Sequence, residues 1–173
     1  KLTSLGLKLD TAFCTENVRE ILKVAEGHGI FVRFDMEDST CTSDTIGIFR
    51  ALQKDFPRTG IVLQAYMRRS GSDTDLLMQT KTNFRLCKGI YKEPADVAFQ
   101  GREEVQQNFL SLLRKMLGGD AVRLPVQHEA EPHGAADRGL ELAVGRLEDD
   151  AAVGLFHGAG HRERAVAAVL LLH

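Results

Sequence analysis

Residues 85–94 read Arg-Leu-Cys-Lys-Gly-Ile-Tyr-Lys-Glu-Pro. A short apolar run, Asn83 to Cys87, ends abruptly in a cation, a glycine and a tyrosine, and Pro94 then stops regular structure. That is the pattern of a buried strand delivering functional groups to a loop. Two earlier segments repeat it. Phe31 to Phe34 runs into Asp35-Met36-Glu37-Asp38-Ser39, and Ile61 to Leu63 runs into Gln64-Ala65-Tyr66. Three successive strands therefore end in polar groups on the same side of one sheet.

Outward from these strands, the sequence alternates periods. Lys1 to Leu5 is strand-like, and Cys14, Val18, Ile21, Leu22 and Ala25 recur at helical spacing, closed by Gly27 and Gly29. Ile30 to Met36 predicts a second strand. Ile46, Phe49, Ala51 and Leu52 predict a second helix, ended by Pro57 and Gly60. Ile61 to Tyr66 is a third strand, Leu76, Leu77 and Met78 mark a short helix, and Phe84 to Cys87 is a fourth strand. Val105, Phe109, Leu112, Leu113 and Met116 line one face of a final helix. Its first turn holds Glu103 and Glu104 and its last holds Arg114 and Lys115, as the helix dipole prefers. This is the βαβ cadence of a parallel sheet. An open doubly wound sheet feeds its site mainly from two loops, whereas a barrel collects side chains from many strand ends. Three site-like strand ends favour the barrel. A whole barrel takes roughly 250 residues. The expectation for 173 residues is therefore an α/β fold, a partial (β/α)8 TIM-type barrel of about five or six of the eight units.

Composition excludes several classes. A net charge of −2 leaves no electrostatic footprint for nucleic acid. The longest apolar run, Ala165 to Leu172, is far short of the ~20 residues of a membrane helix. Three widely spaced cysteines, Cys14, Cys41 and Cys87, form no Cys-x-x-Cys pair and point to a reducing compartment. The expected location is cytoplasmic, with peripheral contact at an inner membrane as the alternative. Lys1 opens without an initiator methionine, which suggests a start cut from something longer.

A break falls near residue 119. Residues 119–173 contain no Lys, Ile, Ser, Thr, Asn, Met, Cys or Tyr, and hold five of the six histidines. The expected division is a catalytic-fold segment at 1–118 and a distinct tail at 119–173. The tail is either an out-of-frame or degenerate replacement, or a genuine GC-rich segment with a helix through Leu140, Leu142, Ala143 and Leu147. His157 and His161 stand at i, i+4, but Gly158 and Gly160 break the helix between them and the glutamate of a His-Glu-x-x-His site is missing, so no metal site is expected.

The strand ends supply Lys1, Asp35, Gln64, Arg85, Lys88 and Tyr91, with Gly89 leaving room for close backbone approach. No Ser-His-Asp or Cys-His set accompanies them. Cations, a carboxylate, an amide and an aromatic suit binding of a planar electron acceptor and a small zwitterion. Each residue also has a plain role: Asp35 as a helix cap, Arg85 in a bridge to Glu37 or Asp38, Gln64 as a partner for buried backbone, and Tyr91 as packing under a loop.

Four of these stretches together resemble the successive strand-end motifs of the proline dehydrogenase family: Lys1-Leu-Thr-Ser-Leu-Gly, Arg33-Phe-Asp-Met-Glu-Asp-Ser, Val62-Leu-Gln-Ala-Tyr and Arg85-Leu-Cys-Lys-Gly-Ile-Tyr. Each alone is weak; in this order and spacing they are specific, and they cover about residues 1–118. The resemblance implies a flavin-holding (β/α)8 barrel that oxidises L-proline to 1-pyrroline-5-carboxylate, with FAD as cofactor and a quinone as electron acceptor. It implies catalytic roles for Asp35 and Arg85. It places Lys1 and Tyr91 against the substrate, and Met36, Gln64, Gly89, Ile90, Tyr91 and His128 against FAD. His128 is the one match in Val126-Gln127-His128-Glu129 to a family Thr-His strand end. The family's paired arginines on a late helix are missing, and Arg162 and Arg164 are not adjacent. Poor FAD binding and little turnover are therefore expected of this chain alone. The competing readings are a non-catalytic barrel remnant that self-associates or recruits a partner, and a different barrel enzyme using Lys88 in a Schiff base.

Overall fold

The computed structural model describes residues 1–118 and 153–155. A 3-10 turn at Thr3–Leu5 leads to α1 (Thr11–Gly27), β1 (Val32–Phe34), α2 (Ser39–Leu52), β2 (Thr59–Gln64), α3 (Ser70–Leu77), β3 (Asn83–Cys87), α4 (Arg102–Met116) and β4 (Val153–Leu155). The sheet order is β1-β2-β3-β4. β1, β2 and β3 pair in parallel; β4 joins the far edge of β3 antiparallel. The α/β class and parallel cadence match expectation, with three parallel strands rather than five or six units among the described residues. Strand order never reverses across β1, β2 and β3. Crossovers of one hand then place their helices on one face of the sheet.

That face is the core. Phe34, Met36, Ile61, Leu63, Phe84 and Leu86 point into it and meet Cys14, Val18 and Leu22 of α1, Phe49 and Leu52 of α2, Leu77 of α3 and Phe109, Leu112 and Leu113 of α4. Phe34 and Phe49 pack edge to face with ring centroids 5.2 Å apart. Each such aliphatic or aromatic side chain contributes about 1.5–3 kcal/mol on burial. Ile21, expected on the core face of α1, points outward with Phe13 and Val24.

The first predicted strand is instead the 3-10 turn. Leu2 and Leu5 stand three apart, the period of that turn, and Leu5 N–H donates to Leu2 O at 2.9 Å. α2 starts seven residues before the expected Ile46, because buried Thr42 and Thr45 extend its inner face without hydrophobic signal. Asp38 caps it, accepting from Thr40 N. Gly60 does not end a helix; it lies buried inside β2. α3 begins well before its leucines, with Asp73 held to Arg69 at 2.8 Å.

The Asp38 cap is pH-dependent. The Thr40 hydroxyl, and then Lys8, hold its carboxyl down at about 2 against the usual 3.8. A depressed folded value means the stabilisation is complete above about 3.8 and disappears as pH falls toward 2. Asp38→Ala is expected to cost about 1 kcal/mol at neutral pH. Urea unfolding at pH 7 and at pH 2.5 checks this: the difference between wild type and variant should shrink at the lower pH.

Candidate functional site

Strand register builds the site. Arg33 pairs with Gly60 and Gly60 with Asn83, forming one row; Val62 pairs with Arg85 in the next, and Gln64 with Cys87 in the third. Side chains alternate along a strand, so these rows share the face turned away from the helices. Asp35, two residues beyond Arg33, falls on the same face.

Two arginines cross β2 on this face, in opposite directions. Arg85 of β3 reaches over Val62 and donates from Nη2 to Asp35 Oδ1. Arg33 of β1 reaches over Gly60 and donates from Nη1 to Asn83 O at 3.2 Å. Gly60 is required there: a Cβ would lie 2.6 Å from Arg33 Nη1 and 2.7 Å from Asn83 O. Arg33 also sits 4.8 Å from the centroid of the Phe31 ring. Burial, and then the Arg85 cation, push the Arg33 guanidinium down to about 10, so it remains charged at neutral pH. Arg85 Nε and Asn83 Oδ1 are buried without hydrogen-bond partners among the described residues. The Arg85 and Asp35 side chains are 39% and 38% exposed. The face is partly exposed, and beneath its surface lie a donor and an acceptor that nothing described satisfies.

Above them, buried Gln64 donates from Nε2 to Glu37 O at 2.7 Å. Glu37 is itself buried, and its carboxylate accepts from Thr3 N at 3.0 Å and Thr3 Oγ1 at 2.6 Å. The segment carrying Lys1 is thereby fastened beside the end of β1, with Lys1 exposed. The Met36 side chain is in the core. Burial pushes the Cys87 thiol up to about 11, which keeps it protonated and unreactive at neutral pH.

Beyond β3 the ladder continues for two bonds, Ala65 N to Cys87 O at 2.7 Å and Tyr66 N to Lys88 O at 2.8 Å. Gly89 follows with φ +111, and a Cβ there would sit 2.1 Å from Tyr66 Cδ1. The close approach that Gly89 permits is to this ring. Ile90 is exposed, and half-buried Tyr91 packs on Tyr66, Met67 and Ala98. The Tyr66 hydroxyl is buried without a partner among the described residues; burial, then the Glu93 charge, push it up to about 12.

The structure therefore gathers Asp35, Gln64 and Arg85 on one face, with Met36, Gly89 and Tyr91 at its border. His128 lies outside the described residues, as do His157 and His161. The plain roles sort differently from expectation. Asp38 caps α2 instead of Asp35. Arg85 pairs with Asp35 instead of Glu37 or Asp38. Gln64 does satisfy a buried carbonyl. Glu37 takes the structural role expected of it, whereas Arg33 and Glu93 join the site without having been singled out in the sequence. Arg33 had one usable signal, its same-face spacing from Asp35; Glu93 acts through a partner remote in sequence. Chemically the face orients and stabilises charge, and among the described residues it holds no activated nucleophile.

The family model described as proline dehydrogenase matches residues 1–127, running past the compositional break near 119. Proline dehydrogenase 2 of Bacillus subtilis strain 168 is 41% identical over 117 residues, 68% of this chain and 39% of that protein. Proline dehydrogenase of Deinococcus radiodurans is 39% identical over 99 residues, 56% of this chain and 32% of that protein. Among solved structures, proline utilization A from Bdellovibrio bacteriovorus, inactivated by N-propargylglycine, superposes with a TM-score of 0.57 at 25% identity. It covers 62% of this chain and 13% of that one. The chain thus spans about two fifths of the length of the Bacillus relative.

Gly89→Ala forces a side chain into a left-handed backbone and onto an aromatic ring. The expected cost is about 1–3 kcal/mol, read as a lower urea midpoint. The spectrophotometric ionisation of Tyr66 should also move down from about 12 toward the ordinary 10 as its ring is uncovered.

Proposed function

This chain belongs to the proline dehydrogenase family, and from that premise we propose that its strand ends are part of a flavin site oxidising L-proline. In this reading residues 1–118 are part of a (β/α)8 barrel, residues 119–173 are a distinct tail, and FAD is the cofactor. When bound, FAD accepts the two electrons that leave proline as a hydride, yielding 1-pyrroline-5-carboxylate, and a quinone is the final acceptor.

The residues present fit such a group. Arg85 presents a partly exposed guanidinium on this face, a cation suited to a planar ring that gains negative charge on reduction. Asp35 holds the other end of that guanidinium and fixes its direction. Gln64 brings an amide to the same face, locked by Glu37. The Met36 backbone and the Gly89-Ile90-Tyr91 turn border the cofactor. Lys1 and Asp35 offer a cation and an anion to the two charges of a zwitterionic amino acid, with Tyr91 packed alongside. His128 is assigned to the cofactor by the family motif. No described helix is long and apolar enough to cross a membrane; the quinone is reached from the cytoplasmic side, by peripheral contact.

The observation that carries this reading is the Arg85–Asp35 pair spanning β2 beside Gln64. A specific observation also supports self-association. Leu9, Phe13, Ile21 and Val24 leave α1 and its approach apolar and exposed, a surface of the kind that pairs with another chain.

Fluorescence quenching of FAD on titration with the 173-residue chain tests the flavin site. Weak uptake is expected. Arg85→Met should weaken it further by about 10- to 100-fold, the worth of a hydrogen bond to a charged group. Uptake unaffected by Arg85→Met and by Asp35→Asn overturns the assignment. A colourless oligomer in sedimentation supports the self-association reading instead.

A further inference from the structure

We propose that Glu93 is a positioning residue that latches the connection between β3 and α4 onto the start of α2, holding the Gly89-Ile90-Tyr91 turn over the strand ends. What the turn is positioned for rests on the flavin-site reading above; the latch itself rests on contacts alone.

The connection has a fixed half and a hanging half. Residues 95–99 are fastened to the chain after β2. Arg68 N donates to Val97 O at 3.0 Å and Phe99 N to Tyr66 O at 2.8 Å. Met67 and Ala98 form an antiparallel bridge. Arg68 Nε donates to Ala95 O at 2.8 Å, with its guanidinium 4.5 Å from the Phe99 ring centroid. The other half leaves the β2–β3 ladder at Lys88 and next meets the body of the protein through hydrogen bonds at Glu93. There the carboxylate accepts from Ser39 N at 2.7 Å and from Ser39 Oγ at 2.8 Å, across 54 residues of sequence.

Ser39 is the first residue of α2, so Glu93 occupies an orphan N–H at the positive end of a helix dipole, where a carboxylate is favoured. α2 already has its own cap in Asp38. Loss of Glu93 therefore leaves the helix start intact and frees the loop. The tie is also placed to matter. It joins the loop that follows β3, the strand of Arg85, to the start of α2, which follows the loop of Asp35. Tyr66 lies beneath the turn with its hydroxyl unpartnered among the described residues, and after burial the Glu93 charge acts on it most strongly. The chain has two tyrosines and no tryptophan, so tyrosine absorbance reports this spot directly.

The test compares the full chain with Glu93→Ala, Glu93→Gln, Ser39→Ala and the Glu93→Ala/Ser39→Ala double variant. Hydrogen exchange across residues 88–93 should accelerate about 10-fold or more in Glu93→Ala, and less in Ser39→Ala, which keeps the backbone N–H bond to Glu93. The double variant should match Glu93→Ala, Glu93→Gln should fall between wild type and Glu93→Ala, and β2 and α1 should be unchanged. The upper tyrosine ionisation midpoint should drop in both Glu93 variants. Exchange unchanged at 88–93, or raised equally across the whole chain, overturns the latch. FAD uptake separates the two readings. If wild type takes up no flavin while the loop is released in Glu93→Ala, the flavin site fails and the latch stands. If wild type takes up flavin and Glu93→Ala takes it up equally, the positioning role fails.

Discussion

Neighbouring strands are about 4.8 Å apart, so β1 and β3 lie roughly 10 Å from each other across β2. Most side chains cannot bridge that gap; arginine can, and its rigid fork gives the far end a defined direction. Arg85 and Arg33 each make this crossing from opposite sides, one to Asp35 and one to the Asn83 carbonyl. The crossings require a low surface on β2, which Gly60 provides below and Val62 above. Two like charges are thereby drawn onto one face; burial and then the Arg85 cation lower the preference of Arg33 for charge, and Asp35 opposes that. The same arrangement explains why a polar face persists on a sheet whose opposite face is mostly hydrocarbon.

Carboxylates do the complementary work at the loops. Glu37 fastens the first residues of the chain to the end of β1 through Thr3. Its own carbonyl in turn locks Gln64. Asp38 caps α2, and Glu93 takes the next free N–H of that helix from across the sheet. Three consecutive loops are thus drawn toward one point above the strands. Rigid strand ends with supported loops are what placement of a reacting carbon within ~3–3.5 Å of an acceptor demands.

The membership of this chain in the proline dehydrogenase family accords with that geometry. The chain covers 39% of the Bacillus relative, and the inner face of its sheet is half open. In β3 the inward residues Asn83, Arg85 and Cys87 are only partly buried, while Phe84 and Leu86 on the helix side are buried fully. The edge of β3, where a parallel strand would continue a barrel, is taken by antiparallel β4.

Much of the fold was legible in the residues themselves. Period-2 runs ending in Asp35, Gln64 and Arg85, glycine stops, and the periodic apolar face of α4 are local signals, because strand and helix geometry are set by near neighbours. The sequence alone therefore determined that strands and helices alternate, and that polar groups gather at successive strand ends. Errors fell where local pattern was ambiguous. Lys1 to Leu5 became a 3-10 turn around the Glu37 carboxylate, Gly60 entered a strand, and α2 began at Ser39 behind polar threonines. The tertiary structure alone decided who meets whom. Arg85 finds Asp35 across 50 residues, Arg33 finds Asn83 across 50, Thr3 finds Glu37 across 34, and Glu93 finds Ser39 across 54. Those partners follow from strand order and register, which arise when the whole sheet packs on its helices and which no short stretch of sequence encodes.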